Sequence, residues 1–173
     1  MAPYIINNDL CISFLTIELK GIIPRDLRPL IGDWVFGCDI CQDVCPVNRD
    51  VLKSKESYFN KRNDFDALEL VPLLSLNEEE FSQKFKGSPI KRTKLEGLKR
   101  NVCVALGNLK DKRAIIPLLT TLLDKSFIIR VHAVWAIGSI GVDEIIKTHL
   151  IKALSKEKHP EEKKELESVL NNS

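Results

Sequence analysis

The chain has 173 residues, of which 44% are hydrophobic and 29% charged, and its formal net charge is +2 at pH 7. This length and apolar content suffice for a buried core, while the balanced charge indicates no particular partner. No apolar run reaches the roughly 18 residues of a membrane span. No basic segment followed by an apolar stretch opens the sequence, so we expect no secretory signal and a reducing, cytoplasmic location.

The first part of the chain, residues 1–60, is rich in turn residues and contains four of the five cysteines. Apolar residues at helical spacing predict a helix over residues 11–20, which Gly21 should end. We predict that residues 33–48 form a loop with short turns around the cysteines. Such a segment is stabilised more by metal bonds than by apolar burial.

The rest of the chain has helical periodicity. Ser75 and Glu78 fit a capping box at the start of a helix that runs to about Phe85. Five further helices are predicted over residues 90–109, 113–123, 128–140, 143–154 and 161–170. Asp111 and Ser126 are the predicted N-caps of the second and third of these five helices.

An internal repeat is visible in this helical part. Residues 101–109 align with residues 132–140 at an offset of 31, and a helix with an Ile-Ile pair follows each segment. Small Ala and Gly residues in both segments should let neighbouring helices approach closely. Paired helices at this interval are typical of helical-hairpin arrays, and we predict about two HEAT-like units.

Three cysteines, Cys38, Cys41 and Cys45, form a C-x-x-C-x-x-x-C-P run that Pro46 completes. This spacing is typical of proteins that hold iron–sulfur clusters, in which the last cysteine ligates the other of two clusters. Alternatives are a zinc site, a thioredoxin-type redox pair and inert thiols. Zinc usually requires a second paired ligand set, and a redox pair leaves Cys45 and Pro46 unexplained. We therefore favour the iron–sulfur interpretation.

A 4Fe–4S cluster takes four thiolates, so one more ligand must come from elsewhere. Cys11 is the natural candidate because it lies in the same part of the chain and begins a helix. A buried free thiol is the alternative for Cys11, since this is a common fate for cysteine. Cys103 lies within an apolar helix face, which predicts core packing.

Three segments carry a resemblance to a known family: residues 11–21, residues 31–48 with the cysteine run, and residues 98–108. Together they resemble the C-terminal half of epoxyqueuosine reductase. That family uses iron–sulfur clusters and cobalamin to make queuosine at the wobble position of certain tRNAs. The resemblance covers about residues 2–140.

The resemblance implies a mainly α fold. Residues 1–60 would form a partial two-cluster ferredoxin-like 4Fe–4S segment, and residues 61–173 would form α-helical HEAT-like repeats. Family members also carry an N-terminal cobalamin-binding domain and an earlier cysteine run, and this sequence contains neither. We therefore expect that this chain alone completes neither cluster and is inactive by itself.

The resemblance also implies roles for individual residues. Cys11, Cys38 and Cys41 match three ligands of the family's second 4Fe–4S cluster, and Cys45 matches the last ligand of the first cluster. Ser13 matches a position close to the cobalamin. No residue of this chain matches a catalytic residue of the family.

A basic stretch lies within residues 84–101, which hold seven Lys or Arg residues and one acid, Glu96. A solvated helix face would explain such a run, but its local clustering around a Ser-Pro break favours nucleic acid. With the resemblance, we predict that five side chains bind the tRNA backbone: Lys91, Arg92, Lys94, Lys99 and Arg100. Arg130 is predicted to bond helix ends between repeats.

We therefore predict the C-terminal part of a tRNA epoxyqueuosine reductase, an oxidoreductase. Its 4Fe–4S clusters would relay electrons to cobalamin, and its helical repeats would hold the tRNA anticodon arm. Expected partners are tRNA, an external electron donor and a polypeptide with the missing N-terminal half. The alternatives are a non-catalytic helical-repeat binding module and a ferredoxin-like electron-transfer subunit.

Overall fold

The structure, a computed structural model, describes residues 5–51, 54–56 and 69–172. No strand occurs in these ranges, and helices and turns dominate them, which confirms the mainly α prediction. We call residues 5–51 the cysteine segment and residues 69–172 the helical region. The predicted boundary near residue 60 lies outside the described residues, so the division into two domains stays a prediction.

Eight α-helices lie in the described ranges: α1 (Arg28–Ile31), α2 (Ile40–Asp43), α3 (Glu78–Lys84), α4 (Lys94–Leu109), α5 (Ile115–Thr121), α6 (Phe127–Ile140), α7 (Glu144–Lys156) and α8 (Pro160–Asn171). In the helical region, α4 packs on α6 and α6 packs on α8. Helix α5 packs on α6, and α7 packs on α8. This arrangement agrees with the predicted pairing of helices, while their assignment as HEAT-like repeats stays a prediction.

Two glycines at equivalent places in the repeat lie where the helices touch. A Cβ atom on Gly107 would lie 2.7 Å from Cζ3 of Trp135 and 2.9 Å from Cα of Ala136. A Cβ atom on Gly138 would lie 2.7 Å from Cγ2 of Val169. Since real Cβ atoms do not approach other atoms so closely, these glycines allow α4, α6 and α8 to pack as they do.

The start of α3 differs from its prediction. Asn77, not Ser75, caps α3: its side chain accepts the Glu80 N–H at 2.9 Å, and the Glu80 carboxylate accepts the Asn77 N–H at 2.9 Å. Ser75 ends a 3₁₀ turn and donates its hydroxyl to the Pro72 carbonyl oxygen. Ser75 and Asn77 each lie three positions before a glutamate, so the sequence pattern alone could not show which of them caps the helix.

Buried polar links hold the cysteine segment against the helical region, and two of them involve His132 and Arg28. The Ile23 N–H donates to Nε2 of His132 at 3.1 Å, and Nδ1 of His132 lies 2.7 Å from the Ile128 carbonyl oxygen. Burial lowers the pKa of His132 well below its ordinary value, so the neutral ring with its proton on Nδ1 fits both partners. The second link is the Arg28 guanidinium, which donates to the Glu165 carboxylate at 3.1 Å.

Arg130 connects the loop before α6 to the start of α8. Its Nε donates to Glu162 at 2.8 Å, and its Nη1 donates to the Asp124 carbonyl oxygen at 2.9 Å. Its Nη2 pairs with Glu157 at 3.3 Å. These contacts agree with the structural role predicted for Arg130 between repeats.

Glu162→Gln should change how stability depends on pH. Burial raises the pKa of Glu162 to about 7. The positive charge of Arg130 lowers this pKa by less than burial raises it, and the negative charge of Glu157 also raises it. Because an unfolded glutamate titrates near 4.5, the contribution of Glu162 to stability is fully present below pH 4.5 and is lost as the pH rises through 7. Relative to the variant, the free energy of unfolding of the wild type should fall by up to about 1.4 kcal/mol per pH unit in this window.

Urea titrations of both proteins between pH 4.5 and 8 measure this difference. Glu161→Gln is the matched control, because Glu161 lies exposed in the same first turn of α8. The control should differ from the wild type by an amount that does not change with pH. A pH-independent difference for Glu162→Gln as well would contradict the assignment.

Candidate iron–sulfur site and basic surface

Cys11 immediately precedes a helix over residues 12–18, which we call the Cys11 helix. The Cys11 carbonyl oxygen accepts the Leu15 N–H at 2.9 Å, and the helix then widens into a π-helical turn, Phe14–Glu18. The Leu19 N–H closes that turn on the Phe14 carbonyl oxygen at 3.0 Å. The side chain of Cys11 is half-buried, and the helix stops before Gly21 as predicted.

The other three cysteines surround α2. Cys38 precedes this short helix, Cys41 lies within it, and Cys45 follows it. Cys41 is exposed, while Cys38 and Cys45 are half-buried. The 3₁₀ turn Pro46–Asn48 comes next, as expected for a cysteine loop followed by short turns.

A network of hydrogen bonds joins the Cys11 helix to the Cys38 loop. The Gly37 N–H donates to Oγ1 of Thr16 at 3.0 Å. From α4, Nδ2 of Asn101 donates to the carbonyl oxygens of Thr16 at 2.7 Å and Val35 at 2.8 Å. No local pattern in the chain predicts these bonds, because their partners lie 21 to 85 residues apart.

The chemistry of the donors fits an iron–sulfur cluster. All four cysteines of this segment are free thiols with some solvent exposure, on two stretches that the hydrogen bonds tie together. Among the described residues, no group of three or more His, Cys, Asp or Glu side chains is placed to hold a single metal ion. A four-iron cluster binds one thiolate at each iron, so its ligands need not converge on one point.

The fifth cysteine, Cys103, has a different environment. It is fully buried in α4, and desolvation raises the pKa of its thiol. Since the thiolate is the form that binds metals, Cys103 is a poor ligand. The structure therefore agrees with the predicted core role of Cys103.

The predicted tRNA contact of Arg100 requires an exposed side chain, but Arg100 is buried. Its side chain is 1% exposed and donates to the carbonyl oxygens of Leu15 (2.7 Å), Leu19 (2.7 Å) and Gly21 (2.8 Å). Burial lowers the pKa of Arg100 to about 10, and the charge of Glu96 offsets this only partly. The guanidinium binds the protein's own backbone and cannot reach a nucleic-acid phosphate.

The predicted tRNA contact of Lys99 is likewise at odds with its burial. Lys99 is 8% exposed and pairs with Asp124 at 3.3 Å, in the loop between α5 and α6. Lys99 and Arg100 therefore fix α4 against its neighbours. The sequence signal for this was their place at the start of a buried apolar helix, which outweighs the local count of positive charges.

The remaining three predicted phosphate contacts, Lys91, Arg92 and Lys94, are exposed. They lie in the 3₁₀ turn Pro89–Thr93 and at the first position of α4. Lys20, which the sequence prediction missed, joins them through a hydrogen bond from its Nζ to the Arg92 carbonyl oxygen at 3.0 Å. We call these four residues the basic surface.

The basic surface adjoins the Cys11 helix. Arg92 pairs with Glu18 of the π-helical turn, and Lys20 follows the same turn. Ser13, the predicted cobalamin neighbour, is half-buried in the first turn of that helix. Nothing in the structure tests its role, so it stays a prediction.

No helix in the described part of the chain is long and apolar enough to cross a membrane.

Known proteins resemble this chain in sequence. Residues 2–48 match the 4Fe-4S double cluster binding domain. The epoxyqueuosine reductase of Pseudomonas aeruginosa is 43% identical over 145 residues, which are 82% of this chain and 39% of that protein. The epoxyqueuosine reductase of Escherichia coli is 40% identical over 136 residues, or 79% of this chain and 36% of that protein.

Solved structures agree with these matches. A structure of epoxyqueuosine reductase with an epoxyqueuosine-modified tRNA-Tyr stem loop superposes with a TM-score of 0.90 at 36% identity, covering 98% of this chain and 45% of that one. The epoxyqueuosine reductase of Streptococcus thermophilus gives a TM-score of 0.79 at 29% identity, covering 94% and 43%. This chain thus spans less than half the length of these relatives. In sequence and fold, this chain is similar to the C-terminal portion of the epoxyqueuosine reductases.

Proposed function

We propose that this chain is the cluster-carrying and tRNA-binding part of an epoxyqueuosine reductase. The overall reaction adds two electrons and two protons to epoxyqueuosine at the wobble position of tRNA, and it releases queuosine and water. The observation that carries this proposal is the joining of a 4Fe-4S double cluster binding segment to a basic helical region in one chain. Acting on tRNA, the protein would work in the cytoplasm.

The proposed cluster ligands come from two stretches of the cysteine segment. Cys11, Cys38 and Cys41 would hold one 4Fe–4S cluster, and Cys45 would supply one ligand to a second. The clusters would supply single electrons, and cobalamin would be the group at which the epoxide oxygen is removed. Ser13, which matches a position close to the cobalamin in the family that this chain resembles, would lie beside that cofactor.

The proposed tRNA contact is the basic surface. Three of its side chains project from a 3₁₀ turn and a helix start next to the Cys11 helix, and Lys20 follows that helix, so a bound anticodon arm would lie close to the clusters. Lysine and arginine contacts to phosphate supply affinity that salt weakens, without sequence readout. The stem-loop complex of the related reductase supports a tRNA partner for this fold.

Removing three of the four side chains of the basic surface should weaken tRNA binding and reduce its dependence on salt. We expect Lys91→Ala/Arg92→Ala/Lys94→Ala to lower the affinity for an anticodon stem loop by about tenfold or more at low salt, and to flatten the plot of log K against log[salt] by about 2 to 3 units. Fluorescence anisotropy with a labelled stem loop across a salt series measures both quantities.

A charge-matched control uses three lysines of α7, the exposed Lys152 and Lys156 and the half-buried Lys147, in Lys147→Ala/Lys152→Ala/Lys156→Ala. These residues lie in the helical region but belong to another helix. The control should keep nearly the wild-type salt slope. Equal losses of stem-loop affinity and of salt slope in the two triple variants would indicate a general charge effect and contradict the proposed tRNA-binding surface.

The chain would act together with a polypeptide that carries the remaining cluster ligands and the cobalamin site, and with an external electron donor. Apolar side chains around the cysteines support such a partner, because Ile40, Val44, Val47 and Val51 are all exposed. Exposed apolar groups beside a site commonly mark an interaction surface.

Activity tests this association directly. The chain is mixed with the N-terminal portion of a related epoxyqueuosine reductase, a reductant and epoxyqueuosine-modified tRNA under anaerobic conditions. Nucleoside mass spectrometry then follows the loss of one oxygen atom. We expect turnover only when both polypeptides are present, and a mixture that binds tRNA but never forms queuosine would contradict the reductase proposal.

A further inference from the structure

Asn101 bridges the two cysteine-bearing stretches with a single amide nitrogen. Its Nδ2 donates to the Thr16 carbonyl oxygen at 2.7 Å and to the Val35 carbonyl oxygen at 2.8 Å. Thr16 lies on the Cys11 helix, and Val35 lies three residues before Cys38. Because the side chain is 1% exposed, water cannot readily replace either bond.

Arg100 fixes the direction in which this amide points. Its Nε and Nη2 donate to Oδ1 of Asn101 at 3.0 and 2.9 Å, so the amide nitrogen must face the two carbonyls. The other three guanidinium hydrogens go to backbone oxygens that follow Cys11. All five donors of Arg100 are therefore used in holding Asn101 and the end of the Cys11 helix.

We propose that Asn101, oriented by Arg100, is a positioning residue that sets the place of Cys11 relative to Cys38 for cluster binding. This inference rests on the proposed function, in which both thiols ligate one cluster. A rigid cluster requires fixed spacing between its ligands. The covalent path between these two thiols runs through 26 residues, which comprise the Cys11 helix, turns and the short helix α1. The Gly37–Thr16 hydrogen bond joins the two stretches directly, and the bridge from α4 adds two buried bonds that hold both of them to one rigid helix.

Asn108 provides a matched control on the same helix. It lies seven residues after Asn101, and its Nδ2 also donates to two carbonyl oxygens, those of Arg28 at 2.8 Å and Gly32 at 2.7 Å. The stretch that it holds carries no cysteine. Asn108→Asp and Asn101→Asp thus remove equivalent pairs of donors at nearly constant volume, and Asn101→Asp keeps an acceptor for Arg100.

Two readouts on the full chain test the proposal. After anaerobic reconstitution with iron, sulfide and a small thiol, the visible absorption and the electron paramagnetic resonance signal of the reduced protein measure cluster binding. We expect Asn101→Asp to lose about tenfold or more in the fraction of chains with a cluster, and Asn108→Asp to stay close to the wild type. Hydrogen exchange should rise by about tenfold over residues 12–19 and 33–38 in Asn101→Asp only.

The outcomes separate this inference from the proposed function. A wild-type chain that binds no cluster would contradict the proposed cluster role. The exchange data would then still decide whether Asn101 couples the two stretches. Unchanged exchange over both stretches in Asn101→Asp would overturn the inference. So would wild-type cluster binding by that variant, or an equal loss of cluster in Asn108→Asp.

Discussion

Arg100→Ala is expected to lower the free energy of unfolding by about 3–5 kcal/mol. The carbonyl oxygens of Leu15, Leu19 and Gly21 would lose their donor in a buried place, and each such loss costs about 1 kcal/mol or more. The vacated volume adds a cavity cost. The effect should be large because one side chain holds the end of the Cys11 helix and the orientation of Asn101.

Urea unfolding followed by circular dichroism measures this loss. Arg113→Ala is the control, since the Arg113 side chain is 89% exposed and pairs with nearby Asp111; it should leave the free energy of unfolding nearly unchanged. Arg100→Lys should recover only a small part of the loss, because an ammonium cannot reproduce the planar five-donor fork. Similar stability of Arg100→Ala and Arg113→Ala would contradict the role assigned to Arg100.

Arg130→Ala should also cost about 3–5 kcal/mol, because it leaves two carboxylates in a buried place without their cation. Glu162 and Glu157 both bond the guanidinium, and Glu162 is almost fully buried. Desolvation raises the pKa of Glu157, but the N–H groups of His159 and Lys158 outweigh it and lower the pKa overall. The cost should be smaller at pH 6 than at pH 8, since Glu162, whose pKa is about 7, needs no cation when protonated.

Thermal and urea unfolding at the two pH values test this prediction. Arg92→Ala is a suitable control, because Arg92 and Glu18 form a more exposed ion pair, with 68% and 43% of their side chains accessible. Breaking that pair should cost about 1 kcal/mol or less at either pH. A loss for Arg130→Ala that grows toward low pH would contradict the proposed charge arrangement.

Local signals predicted most of the helices. Ser126 and Asp143 accept backbone N–H groups at the starts of α6 and α7, and Pro160 opens α8, as their residue types suggest. The equivalent places of Gly107 and Gly138 predicted close helix contacts. Local signals did not separate Asn77 from Ser75 as the cap of α3, because both fit the same motif.

The candidate site was only partly predictable. The spacing of Cys38, Cys41 and Cys45 indicates a cluster by itself, whereas Cys11 gained its role from a family resemblance. Arg100 was wrongly predicted to lie on the surface, because a count of positive charges does not show which face of a helix is buried. Its acceptors lie about 80 residues earlier in the chain, so only the folded structure brings them together.

Iron and acid-labile sulfide per chain, measured after anaerobic reconstitution and desalting, test most directly whether this chain holds an iron–sulfur cluster. The small thiol in the mixture can occupy an iron that lacks a protein ligand. We predict a brown wild-type protein that retains both elements, a large loss in Cys38→Ser, and no loss in Cys103→Ala, whose thiol is buried in α4. A colourless wild-type chain without bound iron, or equal iron in Cys38→Ser and the wild type, would contradict the account.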